Sequence, residues 1–349
     1  MDPSRAATPA QALAIHGGFP DLPCRLVEPG GLINTTWFVG EPPRFVLQQV
    51  NAIFPVGIHR RIQQVTGHLV SKGLVAPRIV PALDGCLVTP GPDGTCWRLM
   101  DFIPGVTLDA VDSPARARDA AALVGRFHCA LLDFPQDLTP LRPDPHDTLR
   151  HMAALGSAMA ECGGHRLCAG VRSLGAEVLG GWERWQQRCG VGQLPIRPAH
   201  GDLKISNLRF DAEGRALCLI DLDTLSSMPL ALELGDAMRS WCNRSGEDGE
   251  TAEVDLAIFE AALEGYRSTA AFASPDELAS IAPGTWRICL ELAARFGADA
   301  YREAYFGWDP SVAPGRGEHN LIRARGQLAL ARAVERRLPQ LEALAARSG

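Results

Sequence analysis

Short apolar runs come first along the chain and long amphipathic ones follow. Cys24–Val27, Thr36–Val39, Phe45–Val50, Arg78–Val80, Cys86–Val88 and Trp97–Phe102 are brief extended runs separated by Gly, Pro and Asp, a pattern that predicts an antiparallel sheet. One helix interrupts them: His59–Lys72 sets Ile62, Val65, Leu69 and Val70 at helical spacing before the stop signal Gly73. After Pro104-Gly105 the texture changes to Ala-, Leu- and Arg-rich helical patterns over Pro114–Leu132, Thr148–Glu161, Arg166–Arg188, Ala252–Arg267, Pro275–Phe296 and Asn320–Ala346. The change predicts an α+β chain of two lobes, a small β-rich one over residues 1–103 and a large helical one over 104–349. One β-like interlude, Ala199–Asp223, breaks the helical half, with Leu208–Phe210 and Ala216–Leu222 flanking the turn Asp211-Ala212-Glu213-Gly214.

Composition narrows the partners. At 349 residues and 46% hydrophobic, the chain can bury a core in each lobe and leave a cleft between them. A net charge of −6, with basic residues scattered rather than striped, argues against a nucleic-acid footprint and for a small-molecule partner. The ten cysteines include no Cys-x-x-Cys pair and read as reduced thiols of a cytoplasmic protein. The opening MDPSRAATPAQALA lacks an apolar signal core, and no stretch approaches the roughly 20 apolar residues of a membrane span. A monomer or a homodimer is expected.

The interlude carries the chemistry. In His200-Gly201-Asp202-Leu203-Lys204-Ile205-Ser206-Asn207, an Asp and an Asn stand five positions apart, and Asp221-Leu222-Asp223 ends the apolar run that follows. Kinase catalytic loops use that separation for a catalytic Asp and a metal-binding Asn, with a later Asp holding the metal. A hairpin between the two segments would return them to one face. Phosphoryl transfer needs an in-line nucleophile and compensation of phosphate charge more than covalent work by the protein. Asp202 would accept or orient the acceptor hydroxyl, Asn207 and Asp221 would supply hard oxygen ligands to Mg²⁺, and Lys204 would face the γ-phosphate of ATP. Asp223 would add a direct or indirect metal contact. Turn capping by Asp and Asn would explain any one of these residues, but not the octet and the second segment together.

HGDLKISN together with LIDLD resembles the aminoglycoside phosphotransferase and choline kinase superfamily, and Gly30–Trp37, Phe45–Asn51, Phe54-Pro55, Arg295-Phe296 and His319–Leu321 extend the resemblance toward the N-acetylhexosamine 1-kinase group. It implies a protein-kinase-like two-lobe fold. It further implies that Gly30, Gly31, Asn34, Thr35 and Thr36 cover the ATP phosphates, and that Asp101, Phe102 and Ile103 form the hinge that pairs with adenine. Where many relatives carry a phosphate-binding lysine on the strand after the glycine-rich loop, this chain has Leu47-Gln48, as in the N-acetylhexosamine group, and His59–Lys72 contains no acidic residue. Gln48 would then lie at the nucleotide, with Mg²⁺ and Lys204, helped by Arg60 or Arg61, compensating charge. Thr224, Arg295 and Tyr305 would contact a hexosamine sugar, phosphorylated on its anomeric hydroxyl.

Downstream, Glu233, Asp236 and Arg239 fall on one helical face, with Asp236 expected to brace the catalytic loop. The arginines and aromatics of 295–325 suit a neutral or anionic acceptor better than a polycation, although Trp241, Trp286 and Trp308 could cage a choline-like group. Two other classes fit part of the pattern. Asp221-Leu222-Asp223-Thr224 also resembles the nucleophile motif of haloacid-dehalogenase-like phosphatases, but no alternating strands and helices surround it. Gln48 alone would suit a nucleotide-binding pseudokinase.

Overall fold

A computed structural model describes residues 7–17, 19, 21–28, 33–141, 146–189, 194–245, 249 and 252–347. The first helix, α1 (Pro9–His16), starts on a Thr8 side-chain cap that accepts from the Gln11 backbone N–H. The strands β1 (Cys24–Leu26), β2 (Thr35–Val39), β3 (Phe45–Val50), β4 (Thr89–Pro90) and β5 (Cys96–Asp101) form one antiparallel sheet in the order β1-β2-β3-β5-β4, with α2 (Gly57–Ser71) inserted after β3. Alternation sorts the side chains of the central strands onto two faces. Leu47, Trp97 and Leu99 pack with Ala12 and Leu13 of α1 on the outer face, while Val50 and Met100 join Ile58, Ile62 and Val65 of α2 on the inner one. Gln48 and Arg98 are direct cross-strand partners and lie on that inner face too.

The larger lobe contains α3 (Pro114–Ala130), α4 (Thr148–Glu161) and α5 (Cys168–Cys189), then β6 (Ile196–Ala199), β7 (Leu208–Phe210), β8 (Ala216–Leu219) and β9 (Ser226–Pro229). It closes with α6 (Leu230–Trp241), α7 (Leu256–Arg267), α8 (Pro275–Ala279), α9 (Ile281–Arg302) and α10 (Arg316–Ala346). Helix α9 is apolar around most of its circumference, with Trp286, Ile288, Leu290, Ala293 and Phe296 all buried, so it forms the centre on which α4, α5, α6 and α10 pack. The expected small β-rich lobe and large helical lobe are both present.

Several local expectations shift. Cys86–Val88 is not a strand, and Arg78–Val80 contributes only an isolated bridge between Ile79 and Met100. The single helix expected over Pro275–Phe296 is two, because Ser274 and Glu277 close a capping box that starts α8, and the chain turns again at Ser280 before α9. All ten cysteines are free.

Candidate active site

The β7–β8 hairpin brings the two acidic segments together. Gly214, at φ +81°, and the Gly214 N–H to Asp211 carbonyl bond make its turn. At the open end, the Ile220 N–H donates to the Asn207 carbonyl at 2.9 Å, and His200 Nε2 bonds the Ile220 carbonyl at 2.8 Å. Strands β6 and β9 pair outside this hairpin, so the catalytic loop and the metal segment each run from one small sheet to the other. Their closest approach requires a glycine. A Cβ on Gly201, at φ +81°, would stand 2.6 Å from the Thr224 carbonyl oxygen.

Asp202 sits at the focus. Its Oδ2 accepts from Asn207 Nδ2 at 3.0 Å and pairs with Lys204 Nζ at 3.0 Å, and the side chain keeps 30% of its exposure. Asn207 Nδ2 also donates to the Asp202 carbonyl at 2.9 Å, which leaves its amide oxygen as the atom available to a cation. Burial works against the charge on Asp202, but Lys204, and after it His200, hold its carboxyl below the usual aspartate range. It is therefore an ionised hydrogen-bond acceptor at neutral pH.

Asp221 is the second carboxylate of the cleft. It adopts the left-handed conformation, φ 61° and ψ 57°, and is solvent-exposed. A non-glycine residue holds that conformation at a cost on the order of 1 kcal/mol, and such strain persists where the surroundings impose it. Although Asp221 lies at the rim, the protein around it crowds its carboxyl. Desolvation, then the Asp223 and Asp202 charges, push it above the ordinary range. Carboxylates kept so close call for a cation. Among the described residues no three His, Cys, Asp or Glu side chains form a ready cation cage. The donors fit Mg²⁺ in another way, because that ion takes one or two carboxylates and completes its shell with phosphate oxygens and water.

Asp223 does something else. It is 4% exposed, with Arg98 Nη1 at 2.6 Å from Oδ1, Arg98 Nη2 at 3.0 Å from Oδ2, and Asn34 Nδ2 at 2.9 Å from Oδ2. The expectation that Asp223 contacts the metal gives way to this arrangement, since both of its oxygens are committed to donors from the small lobe. Asn34 and Gln48, expected at the nucleotide, have polar groups in the same network. Asn34 Oδ1 accepts from the Asn51 N–H, Gln48 Oε1 accepts from Arg98 Nη2, and Gln48 Nε2 reaches Thr36 Oγ1 at 3.4 Å. Thr35 stays exposed beside them, and Gly30 and Gly31 lie outside the described residues. Arg61 is spent on the Leu225 and Thr139 carbonyls and does not face the cleft as a phosphate ligand.

At the hinge the Asp101 N–H is taken by the Arg78 carbonyl, the Phe102 N–H by the Arg44 carbonyl, and the Ile103 carbonyl by Arg209. Among the described residues the Ile103 N–H makes no hydrogen bond. The Phe102 ring meets Phe38 edge-on at 5.3 Å.

The brace of the catalytic loop is Glu233, not Asp236. The fully buried Glu233 carboxylate accepts from the His200 N–H at 2.7 Å and the Gly201 N–H at 2.9 Å, with His128 Nε2 at 3.3 Å. Asp236 instead accepts from Arg239 Nε at 3.0 Å. Both acids share one face of α6, and helical spacing alone did not separate them. Thr224 donates its hydroxyl to the His200 carbonyl at 2.8 Å and so also braces the loop.

Arg295 and Tyr305 meet on one ring. Arg295 lies over Phe306 at 5.6 Å, and Tyr305, 44% exposed, meets Phe306 edge-on at 4.8 Å. Asp299 holds this turn by accepting from the backbone N–H groups of Ala304, Tyr305 and Phe306. Trp241 and Trp286 are buried, so they cannot join Trp308 in a cage. One turn before Arg295 on α9, Glu291 pairs with His146 Nδ1 at 3.0 Å and accepts from the Thr148 hydroxyl at 2.6 Å.

A sequence model of the phosphotransferase enzyme family matches residues 26–272, more than two thirds of the chain. The chain belongs to the phosphotransferase enzyme family. The phosphotransferase is also similar to an aminoglycoside phosphotransferase from Alicyclobacillus acidocaldarius, with 15% identity, a TM-score of 0.63, and 96% of this chain covered against 97% of that one. An amicoumacin kinase in complex with AMP-PNP, Ca²⁺ and Ami is 13% identical with a TM-score of 0.61, covering 87% of this chain and 88% of that one. A choline/ethanolamine kinase family protein from Mesorhizobium loti is 16% identical with a TM-score of 0.57, covering 98% and 96%. At these identities the likeness is one of fold. No described helix of the phosphotransferase is long and apolar enough to cross a membrane.

The buried pair of the phosphotransferase gives a pH prediction. Burial alone would lower the His146 pKa, but the Glu291 charge and hydrogen bond outweigh it and push it up to about 9. A raised folded-state pKa contributes stability that is full below the unfolded value of about 6.5 and lost as pH rises through about 9. Denaturant unfolding at pH 6 and pH 10 should show on the order of 3 kcal/mol of pH-dependent loss that His146→Gln abolishes. An equal pH dependence in His146→Gln would disprove the assignment.

Proposed function

We propose that this chain is an ATP- and Mg²⁺-dependent small-molecule kinase, with an N-acetylhexosamine as acceptor and its anomeric hydroxyl as nucleophile. The observation that carries the kinase reading is the meeting of Asp202, Lys204, Asn207 and Asp221 at the mouth of one hairpin. The lobe division at residues 103 and 104 belongs to the same reading. The neighbour that holds AMP-PNP and a divalent cation supports the nucleotide and metal.

Asp202, ionised and about a third exposed, would accept a hydrogen bond from the acceptor hydroxyl and align its oxygen for in-line attack. Because its carboxyl is a weak base, orientation would be its main contribution, and it would take the hydroxyl proton as the new P–O bond forms and the bond from the γ-phosphorus to the departing ADP oxygen breaks. Lys204, now on Asp202, would supply positive charge to the γ-phosphoryl oxygens. Asn207 and Asp221 would hold Mg²⁺, which supplies charge compensation on the phosphates. The free Ile103 N–H supports adenine pairing at the hinge.

The acceptor assignment rests on the wall formed by Arg295, Tyr305 and Phe306, where a guanidinium and aromatic faces suit hydroxyl and amide oxygens and the flat side of a sugar ring. The dispersal of Trp241 and Trp286 into the core speaks against a quaternary-ammonium cage. A coupled ADP-release screen over N-acetylhexosamines, free hexoses, aminoglycosides and amino alcohols tests both levels. N-acetylhexosamines should give the highest kcat/KM, and phosphorus NMR should show a sugar 1-phosphate. Preference for an amino alcohol or an aminoglycoside would replace the acceptor but keep the kinase. ATP binding without ADP release on any acceptor would favour the pseudokinase.

A further inference from the structure

Sequence comparison leaves a charge missing from the inner face of the small sheet, since Gln48 stands where a strand cation would be expected. The structure contains that charge one strand away. Arg98 of β5, directly across from Gln48, is 1% exposed and reaches Gln48 Oε1 and both oxygens of Asp223. Its usual helix partner has changed as well. Helix α2 contributes His59 to this neighbourhood, and burial, then the Arg98 charge, lower the His59 pKa to about 4, so it is neutral there. Asp223 is therefore the counterion of Arg98, and it belongs to the metal segment rather than to a helix. Asp223 lies two residues beyond Asp221 and within the single helical turn Leu222–Thr224 that follows that left-handed residue. A carboxylate gripped on both oxygens, with Asn34 as a third donor, fixes that turn against the small lobe.

We propose that Arg98 is the positioning residue of the metal site: its clamp on Asp223 withdraws that carboxylate from the cation and holds Asp221 outward as the segment's one metal-binding carboxylate. This rests on the kinase reading above. It explains why a strained backbone persists at Asp221 and why the sheet needs no lysine on β3. It also reverses the roles that Asp-x-Asp suggests, with the first aspartate for the ion and the second for the fold. The effect is indirect, so loss of Arg98 should alter metal affinity more than nucleotide affinity. Residues that orient a metal ligand typically contribute about 10- to 100-fold to metal affinity.

The test measures AMP-PNP binding by calorimetry as a function of Mg²⁺, and Mn²⁺ binding by electron paramagnetic resonance, in the full chain. Arg98→Met should raise the half-saturating Mg²⁺ and the Mn²⁺ dissociation constant by at least about tenfold. Binding of AMP-PNP in EDTA should change by less than about twofold. Arg98→Lys, which keeps the charge but cannot grip both oxygens, should fall between. Since Arg98→Met leaves Asp223 buried and unpaired, it also threatens the fold, and Arg98→Met with Asp223→Asn removes both charges. Recovery of melting temperature in the double variant without recovery of the metal constants supports the proposal. Recovery of both, or metal constants within about twofold of wild type in Arg98→Met, overturns it. Asp221→Ala serves as the control, in which metal binding is lost with Arg98 intact. A wild-type protein that binds no AMP-PNP at any Mg²⁺ concentration would fail the kinase reading itself, a distinct outcome.

Discussion

Asp202→Asn should lower kcat by roughly 10³-fold while leaving the ATP KM within a few-fold of wild type. The substitution preserves shape, so the loop retained by Glu233 and His200 should keep its conformation. It removes the charge that orients the acceptor hydroxyl, and it places an uncharged amide against Lys204 and Asn207, both of which now bind Asp202 Oδ2. A loss confined to kcat marks an interaction made in the transition state and not in the ground state. The assay is steady-state ADP release with the best acceptor from the screen, beside calorimetry of AMP-PNP. Turnover within tenfold of wild type would end the role assigned to Asp202. The pH profile gives an independent check. The carboxyl is held below the usual aspartate value, so the acid limb of kcat due to Asp202 should lie below about pH 3.9.

Glu233→Ala should be the most damaging single change to the fold of the site, destabilising it by about 3–5 kcal/mol. Alanine would leave the His200 and Gly201 N–H groups without their acceptor in a dry interior and His128 without its partner. The loop it braces carries Asp202, so activity should fall together with the midpoint of denaturant unfolding. Asp236→Ala is the comparison. It loses the contact with Arg239 but no backbone bond of the catalytic loop, and it should retain a larger part of both activity and stability. Equal effects of the two substitutions on loop-dependent activity would show that the Glu233 brace is not the special one.

Much of the site was legible before any coordinates. The five-residue separation of Asp202 and Asn207, and the turn residues Asp211–Gly214 between two apolar runs, are local features, and the structure closes them as a hairpin with Asp221 at its end. The end of the last long strand of the small sheet just ahead of Pro104-Gly105 was readable in the same way. Other features were ambiguous for a physical reason. Glu233 and Asp236 lie on one face of α6, and which of them meets the loop depends on where β6 delivers the chain against that helix. The split between α8 and α9 hung on a Ser-x-x-Glu cap within an otherwise continuous helical pattern.

The sequence by itself determined what repeats or spaces locally: a strand-rich lobe before a helical one, and two acidic segments set one hairpin apart. Tertiary structure decided which polar groups those segments meet. Asn34 reaches Asp223 across 189 residues and Arg98 reaches it across 125, distances over which no periodicity carries information. Both aspartates of Asp221-Leu222-Asp223 looked equally fit for a cation, and only burial and a bidentate partner separate them. A carboxylate in the cleft stays available to a metal, whereas one desolvated beside a guanidinium must keep that partner, because leaving it would strand a buried charge.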